Sequence, residues 1–213
     1  MSLWNMVTAT IEYREWGVNF ITCSFLMTVA LTFALQLPGL SGQAWTVWRN
    51  RSGDGVSVPT CLALCAYFGV FFVYANNIGS GAAMLNAAVL AFPSLWLLVG
   101  VYRFKGFSFL EWLLAGVVIA VIVATIVLSS KYLIYMAVSF ATAFGLISQV
   151  VELWRTRITD NVNQYFLALF SGVSCIWVAY ALLIGDWVMA VMAGMFALLY
   201  GLILLSWMII RYQ

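Results

Sequence analysis

The amino-acid sequence predicts an all-α integral membrane protein with seven transmembrane helices. Composition is the first observation behind this prediction, because 65% of the 213 residues are apolar and 8% are charged. Charged residues make up about a quarter of a soluble domain, and the mean hydropathy of this chain is +1.05. The net charge of +2 is too small for a protein that binds nucleic-acid phosphates. The lipid bilayer is therefore the expected surrounding, and no nucleic-acid partner is expected.

The second observation is a series of seven apolar runs, separated by charged residues or by Gly, Asn and Pro. Each run has about the 20 residues that an α-helix needs to cross a hydrocarbon core of about 30 Å. Strands of a membrane barrel would alternate apolar and polar residues, whereas the run at 113–128 is apolar on every side. The predicted spans are 18–37, 58–76, 81–102, 109–129, 132–151, 165–184 and 187–210.

Basic residues are divided unequally between the two faces that these spans define. Because cytoplasmic loops carry the excess of Lys and Arg, the richer face is predicted to be cytoplasmic. This orientation puts the N-terminus outside and the C-terminus in the cytoplasm of a multi-pass protein, which we assign to the plasma membrane. The richer face holds Arg49, Arg51, Arg103, Lys105, Arg155, Arg157 and Arg211, and the other face holds Arg14 and Lys131.

The third observation is an internal repeat, since the sequence matches itself at an offset of 106 residues, which is 155 minus 49. Each copy contains three spans, and the unmatched span between them returns the chain to its starting side, so the copies are parallel. The predicted architecture is two three-helix bundles, 18–107 and 131–213, joined by a linker helix at 108–130. Matched positions include Gln43 with Gln149, Trp48-Arg49 with Trp154-Arg155, Arg51 with Arg157, Phe71 with Trp177, and Tyr74-Ala75 with Tyr180-Ala181.

A loop motif inside the repeat resembles the PQ-loop superfamily. A Gln near the end of the first helix of the repeat is followed by a basic loop and by Ser-x-x-Gly-x-Ser before the next helix. Further on, the segment 177–182 resembles the sixth helix of SWEET transporters, and the double repeat is similar to theirs along essentially the whole chain. The motif residues of the first copy are Gln43, Arg49, Asn50, Arg51, Ser52, Gly55, Ser57 and Pro59, with Gly42 where the family has proline.

This resemblance implies a facilitative sugar carrier whose pocket lies between the two bundles. SWEET pockets are lined by an Asn from each third helix and by aromatic residues from each second helix. Asn86 lies close to the first Asn position, and Ala193 lies in the corresponding region of the last helix. The candidate substrate-binding residues are therefore Asn86, Trp177, Phe71 and Ala193.

These candidates also have a purely structural interpretation. An amide inside hydrocarbon must pair or face a cavity, so Asn86 either binds a substrate hydroxyl or joins two helices. Phe71 and Trp177 either stack on a ring-shaped solute or pack in the core. The sequence leaves both alternatives open.

A second group of residues is predicted to act in gating or hinging. Gln43 and Gln149, near the ends of their helices, would bond backbone groups that a flexing helix releases. Pro59 matches a hinge proline of the family, as the resemblance implies. Tyr74 and Tyr180, nearer the outer helix ends, are candidates for an external gate or for the aromatic belt at the membrane interface.

The residue types that the chain lacks limit its chemistry. It has no histidine, and its cysteines lie in apolar runs, so no metal, cofactor or catalytic residue is predicted and no enzyme is expected. Its acidic residues fall in tails, in loops or near helix ends, which disfavours proton coupling. The leading hypothesis is a uniporter of a small neutral solute, with a sugar as first candidate, working by alternating access. The alternative is a membrane receptor or assembly protein on the same fold, and homo-oligomer formation stays open.

Overall fold

The computed structural model describes residues 9–11, 13–14, 27–128 and 131–213, and regular structure in these ranges is entirely helical. Within these ranges, the last six helices are long and apolar enough to cross a membrane. They agree with the predicted all-α, multi-pass membrane protein, while residues 18–26 of the first predicted span lie outside the described residues. A π-helical segment, Ala30–Gln36, precedes α1 (Leu37–Asn50), α2 (Val58–Ile78), α3 (Gly81–Lys105), α4 (Phe109–Val127), α5 (Lys131–Thr156), α6 (Gln164–Leu183) and α7 (Trp187–Tyr212).

The first helix does not end where the sequence predicts. The predicted span closes at Leu37, but the helix continues as α1 to Asn50. Pro38 lies in the first turn of α1, directly after the π-helical segment, where the Leu37 amide donates to the Thr32 carbonyl. A proline removes one backbone donor and crowds the preceding turn, and a π-helical turn is one way for a helix to absorb that change. Pro38 therefore changes the geometry of the helix without ending it.

The helix ends carry equivalent N-caps and equivalent left-handed terminal residues in the two predicted copies. An N-cap side chain accepts a hydrogen bond from a backbone amide of the first turn in α2, α3, α6 and α7. Arg51 and Arg157 follow α1 and α5 with φ angles of 50° and 58°, the left-handed geometry that often terminates a helix. Each of these features lies 106 positions from its counterpart, and the N-caps are Ser57 with Asn163 and Ser80 with Asp186.

The helices pack in a pattern that also recurs. In the first half α1 and α2 both pack on α3, and in the second half α5 and α6 both pack on α7. Among the described residues, α2 packs on α5 across the two halves, and α1 together with the π-helical segment before it packs on α6. Helix α4 packs mainly against α2, and of its residues, all of them described, only Thr125 is buried. The lipid-facing helix α4 therefore lies beside the assembly formed by the other helices.

Glycines let the two halves approach each other closely, as small residues commonly do between membrane helices. A Cβ added to Gly145 of α5 would lie 2.8 Å from the Cβ of Ala63 in α2. Its equivalent, Gly39 of α1, faces Leu169 of α6, and a Cβ there would lie 3.4 Å from Leu169 Cδ1. Both contacts between the halves thus have glycine at equivalent positions.

Candidate functional site

A cavity lies between the two halves, and it contains the candidate substrate-binding residues. Asn86, Phe71, Trp177 and Ala193 all line it. The lining is mostly apolar, and no charged side chain is among the described residues that form it. Its volume, counted as the space open to the centre of a water-sized sphere, is about 40 Å³. A water needs about 10–15 Å³ of such space, so the cavity has room for a few waters and must widen to take a sugar.

Asn86 is buried in α3 and pairs with the first helix. Its Nδ2 donates to Thr32 Oγ1 at 2.9 Å and to Gln36 Oε1 at 2.5 Å. Both acceptors belong to the π-helical segment, so the irregular turn and Asn86 form one polar cluster. No donor among the described residues bonds to Asn86 Oδ1. The amide therefore joins two helices through its donor atom, and its acceptor atom takes no hydrogen bond from the part of the chain that the structure describes.

The second half lines the cavity with other residue types at the positions equivalent to Asn86 and Gln36. Met192 is the repeat equivalent of Asn86, and Thr142 is the equivalent of Gln36. Thr142 lines the cavity, but its hydroxyl already donates to the Val138 carbonyl at 2.8 Å. Met192 is buried, and the neighbouring Ala193 lines the cavity. The second half therefore has no amide at the position equivalent to Asn86, and its polar lining side chains are the hydroxyl-bearing Thr142, Ser174 and Tyr200.

The two aromatic candidates both line the cavity and pack against neighbours. The ring of Phe71 stacks on Tyr67, with centroids 5.4 Å apart and planes 16° apart, and on Tyr135, at 5.6 Å and 24°. Trp177 contacts Tyr180 edge to face, with centroids 5.2 Å apart. Such aromatic pairs contribute about 0.5–1.5 kcal/mol beyond their burial. Phe71 and Trp177 therefore pack against neighbouring aromatic side chains and at the same time line the cavity.

Gln36 and Tyr67 are among the residues of the cavity that sequence reasoning missed. Gln36 lies seven positions before Gln43, and residues at this spacing share a helix face. That spacing is a signal that would have identified Gln36. Tyr67 precedes Phe71 by one turn and also meets Phe196 of α7 edge to face, with centroids 5.0 Å apart. No sequence motif marks Tyr67 among the many aromatic residues of this chain.

The two predicted gating glutamines form a reciprocal set of four hydrogen bonds, which we name the Gln clasp. Gln43 of α1 donates from Nε2 to the Asn161 carbonyl at 2.8 Å and accepts from the Asn163 amide at 2.6 Å. Gln149 of α5 donates from Nε2 to the Gly55 carbonyl at 2.6 Å and accepts from the Ser57 amide at 2.8 Å. Each glutamine thus bonds the loop of the opposite half, at positions 106 residues apart.

The two predicted gating tyrosines join the halves at the other ends of α2 and α6, in what we name the Tyr clasp. Tyr74 Oη donates to Asp186 Oδ2 at 2.6 Å. Tyr180 Oη and Ser80 Oγ lie within hydrogen-bond distance at 2.8 Å. Asp186 and Ser80 are the N-caps of α7 and α3, so each tyrosine bonds a helix end of the opposite half. Tyr135 of α5 stacks on Tyr74, with centroids 4.2 Å apart and planes 11° apart.

Pro59 lies in the first turn of α2, two residues after the N-cap. The missing amide of a proline removes no helical hydrogen bond at that position. Its carbonyl oxygen would lie 3.3 Å from a Cβ added to Gly145. Pro59 therefore lies at the contact between α2 and α5, where the hinge proposed from the resemblance would act.

The clasps lie on either side of the cavity along the two helices they share. On α2, moving from its start, the order is Ser57 of the Gln clasp, Phe71 of the cavity and Tyr74 of the Tyr clasp. Asn163, Trp177 and Tyr180 repeat this order along the second half. Comparisons with known protein families, with curated proteins and with solved structures gave no match.

Proposed function

We propose that the chain consists of two parallel three-helix units, 18–107 and 131–213, joined by a linker helix at 108–130. The recurring packing supports this arrangement, because α1 and α2 both pack on α3 just as α5 and α6 both pack on α7. The contact of α2 with α5 has its equivalent in the contact of α6 with α1. Helix α4 has no counterpart in either unit, as expected of a linker between them.

Within this arrangement the protein is a facilitative transporter of a small neutral solute that works by alternating access. The observation that carries the proposal is the uncharged cavity between two clasps, each of which joins the two halves. A rocking motion of the halves would open one clasp while the other stays closed. The lining described above contains no carboxylate, so a proton has no acceptor at the site and passive exchange is favoured.

The hydrogen bonds of the clasps set the scale of the opening free energy. The Tyr clasp contains a bond to a charged carboxylate, worth about 1.5–3 kcal/mol, and a neutral bond, worth about 0.5–1.5 kcal/mol. The Gln clasp contains four neutral hydrogen bonds. When a clasp opens, water replaces the lost partners, so the net free energy of opening is a few kcal/mol. A free-energy difference of this size allows the closed and open states to exchange during transport.

The lining favours a neutral solute with hydroxyl groups. Asn86 Oδ1 accepts no hydrogen bond from the described residues, so a solute hydroxyl can donate to it. Phe71 and Trp177 offer ring faces to the apolar side of a solute. A sugar combines both features and agrees with the resemblance of the sequence to SWEET transporters. We further propose a plasma-membrane location with the N-terminus outside, which makes the Gln clasp the cytoplasmic gate.

Uptake of radiolabelled solutes into proteoliposomes tests this function. Glucose, sucrose and a neutral nucleoside are compared for the wild-type protein and for Asn86→Ala and Trp177→Ala. Asn77→Ala and Trp112→Ala are matched controls, because both of these side chains are exposed. We expect flux down the gradient that both cavity variants lose, that both controls keep, and that a proton ionophore does not change. Flux that the cavity variants retain would contradict the proposed site.

A membrane receptor or assembly protein on the same fold is the second candidate. Two observations favour it: Asn86 already donates to two groups of the protein, and the cavity has room for only a few waters. Absence of flux for every solute, with a folded protein confirmed by its melting transition, would support this second candidate against the first.

A further inference from the structure

A groove open to the membrane lies between α4 and α5, with α2 as its floor. Helices α4 and α5 have little direct contact, and the groove between them has a volume of about 300 Å³. Its walls are apolar and include Leu114 and Val117 of α4 and Val138 and Ala141 of α5. The small side chain of Ala63 forms part of the floor. The groove is distinct from the cavity proposed to hold the transported solute.

The groove continues into a polar mouth at one end of these helices. A second cavity of about 420 Å³ shares Pro59 and Phe144 with the groove and is also lined by Lys105, Glu111 and Glu152. Lys105 Nζ lies 2.7 Å from Glu152 Oε1 and donates to the Val56 carbonyl at 2.8 Å. These contacts engage two of the three donors of the ammonium group.

The length of the groove matches one leaflet of a bilayer. From Glu152 at the mouth to Val138 at the far end, α5 rises by about 21 Å, at about 1.5 Å per residue. Half of the hydrocarbon core measures about 15 Å, and a headgroup region adds about 5–7 Å. An amphipathic molecule one leaflet long therefore fits with its chain in the groove and its polar end in the mouth.

The charged side chains of the mouth favour one type of lipid headgroup. Two carboxylates and one ammonium give the mouth an excess of negative charge, which disfavours an anionic headgroup. Glu111 Oε2 accepts from the amide and hydroxyl of Ser108, and its Oε1 has no donor among the described residues. A primary ammonium donates up to three hydrogen bonds, whereas a quaternary ammonium donates none. The third donor of Lys105 suits a phosphate.

We propose that this groove binds one phospholipid whose headgroup carries a phosphate and a primary ammonium, as phosphatidylethanolamine does. The acyl chain fills the space between α4 and α5, the ammonium bonds the carboxylates of Glu111 and Glu152, and the phosphate lies against Lys105. The inference requires a membrane setting but does not depend on transport.

Native mass spectrometry of the full chain tests this inference. The protein is released from nanodiscs that contain equal parts of phosphatidylethanolamine, phosphatidylcholine and phosphatidylglycerol. Ala141→Phe fills the groove, and Ala120→Phe on the outer side of α4 is the matched control, since both alanines are exposed. We expect one bound phosphatidylethanolamine in the wild type and in Ala120→Phe, and at least a tenfold smaller bound fraction in Ala141→Phe.

A headgroup variant keeps the test independent of any folding defect. Glu111→Gln retains the oxygen that accepts from Ser108, as glutamine does in a capping box, but removes the charge. We expect it to lower the preference for phosphatidylethanolamine over phosphatidylglycerol about tenfold, whereas Asp160→Asn, at an exposed acid outside the groove, keeps that preference. Equal binding of the three lipids, or equal lipid loss in the two Phe variants, would overturn the inference. Loss of a dimer in Ala141→Phe, without loss of lipid, would instead assign the groove to a second copy of the chain.

Discussion

The hydrogen bonds of the Gln clasp predict that Gln149→Leu destabilises the closed state. Gln149 is the bonding partner of the Gly55 carbonyl and the Ser57 amide, and both of these residues are buried. A leucine leaves these two backbone groups without that partner while the clasp is closed. A buried polar group that loses its partner costs about 1–3 kcal/mol, so the closed clasp loses about 2–6 kcal/mol. The open clasp loses nothing comparable, because water bonds the same groups there.

Cys61 provides a native reporter of this change. It is 1% exposed and lines a small cavity next to Gln43 and Gln149. A membrane-impermeant maleimide therefore reaches Cys61 only when the clasp opens. We expect Gln149→Leu to raise the rate of Cys61 modification at least tenfold, since about 1.4 kcal/mol changes an equilibrium constant tenfold. The assay uses proteoliposomes and a chain in which the other cysteines are replaced by serine.

Two further variants complete this experiment. Gln43→Leu removes the equivalent bonds to Asn161 and Asn163 and should raise the rate in the same way. Gln164→Leu is the matched control, because Gln164 begins α6 but takes no part in the clasp. A wild-type modification rate in Gln149→Leu, with an unchanged melting transition, would refute the gating role of the Gln clasp.

Two other predictions concern the contacts between the halves. Gly145→Ala places a Cβ 2.8 Å from the Cβ of Ala63 and should destabilise the protein by about 1–3 kcal/mol. Gly172→Ala is the control, because no atom lies within 4 Å of the added Cβ, and it should be neutral or stabilising. Thermal melting in detergent measures both, and equal melting temperatures would contradict the close packing of α2 and α5. Tyr74→Phe removes the bond to Asp186 and should lower the melting temperature by the equivalent of about 1.5–3 kcal/mol; a melting curve that matches the wild type would show that this bond does not hold the Tyr clasp closed.

Much of the helical framework could be predicted from the sequence, because hydropathy and capping act locally. The spans from 58 onward correspond to α2 to α7 within a few residues. The largest difference among them is at α5, which continues five residues beyond the predicted end at 151. The extension carries Arg155, and a cation is favourable at the C-terminal end of a helix. Hydropathy alone ends a span at the first polar residues and therefore misses such an extension.

The site was predictable where the internal repeat pairs residues, and less so elsewhere. Phe71 and Trp177 were selected as equivalent positions, and the structure places both on one cavity. Gln43 and Gln149 were also selected as a pair, but their partners lie in loops more than 90 positions away. No local pattern specifies such a partner, because the bond exists only after the two halves pack together.

Apolar run length, capping residues and self-similarity are properties of the chain alone, and they predict the membrane setting, the helical spans and the equivalent positions. The folded structure was needed to show that each glutamine bonds the opposite half and that Asn86 pairs with Thr32 and Gln36. It was also needed to show that α4 has little direct contact with α5 and leaves a groove. These features depend on distances between segments far apart in the chain. Packing of the helices, with glycines such as Gly145 at their contacts, sets those distances.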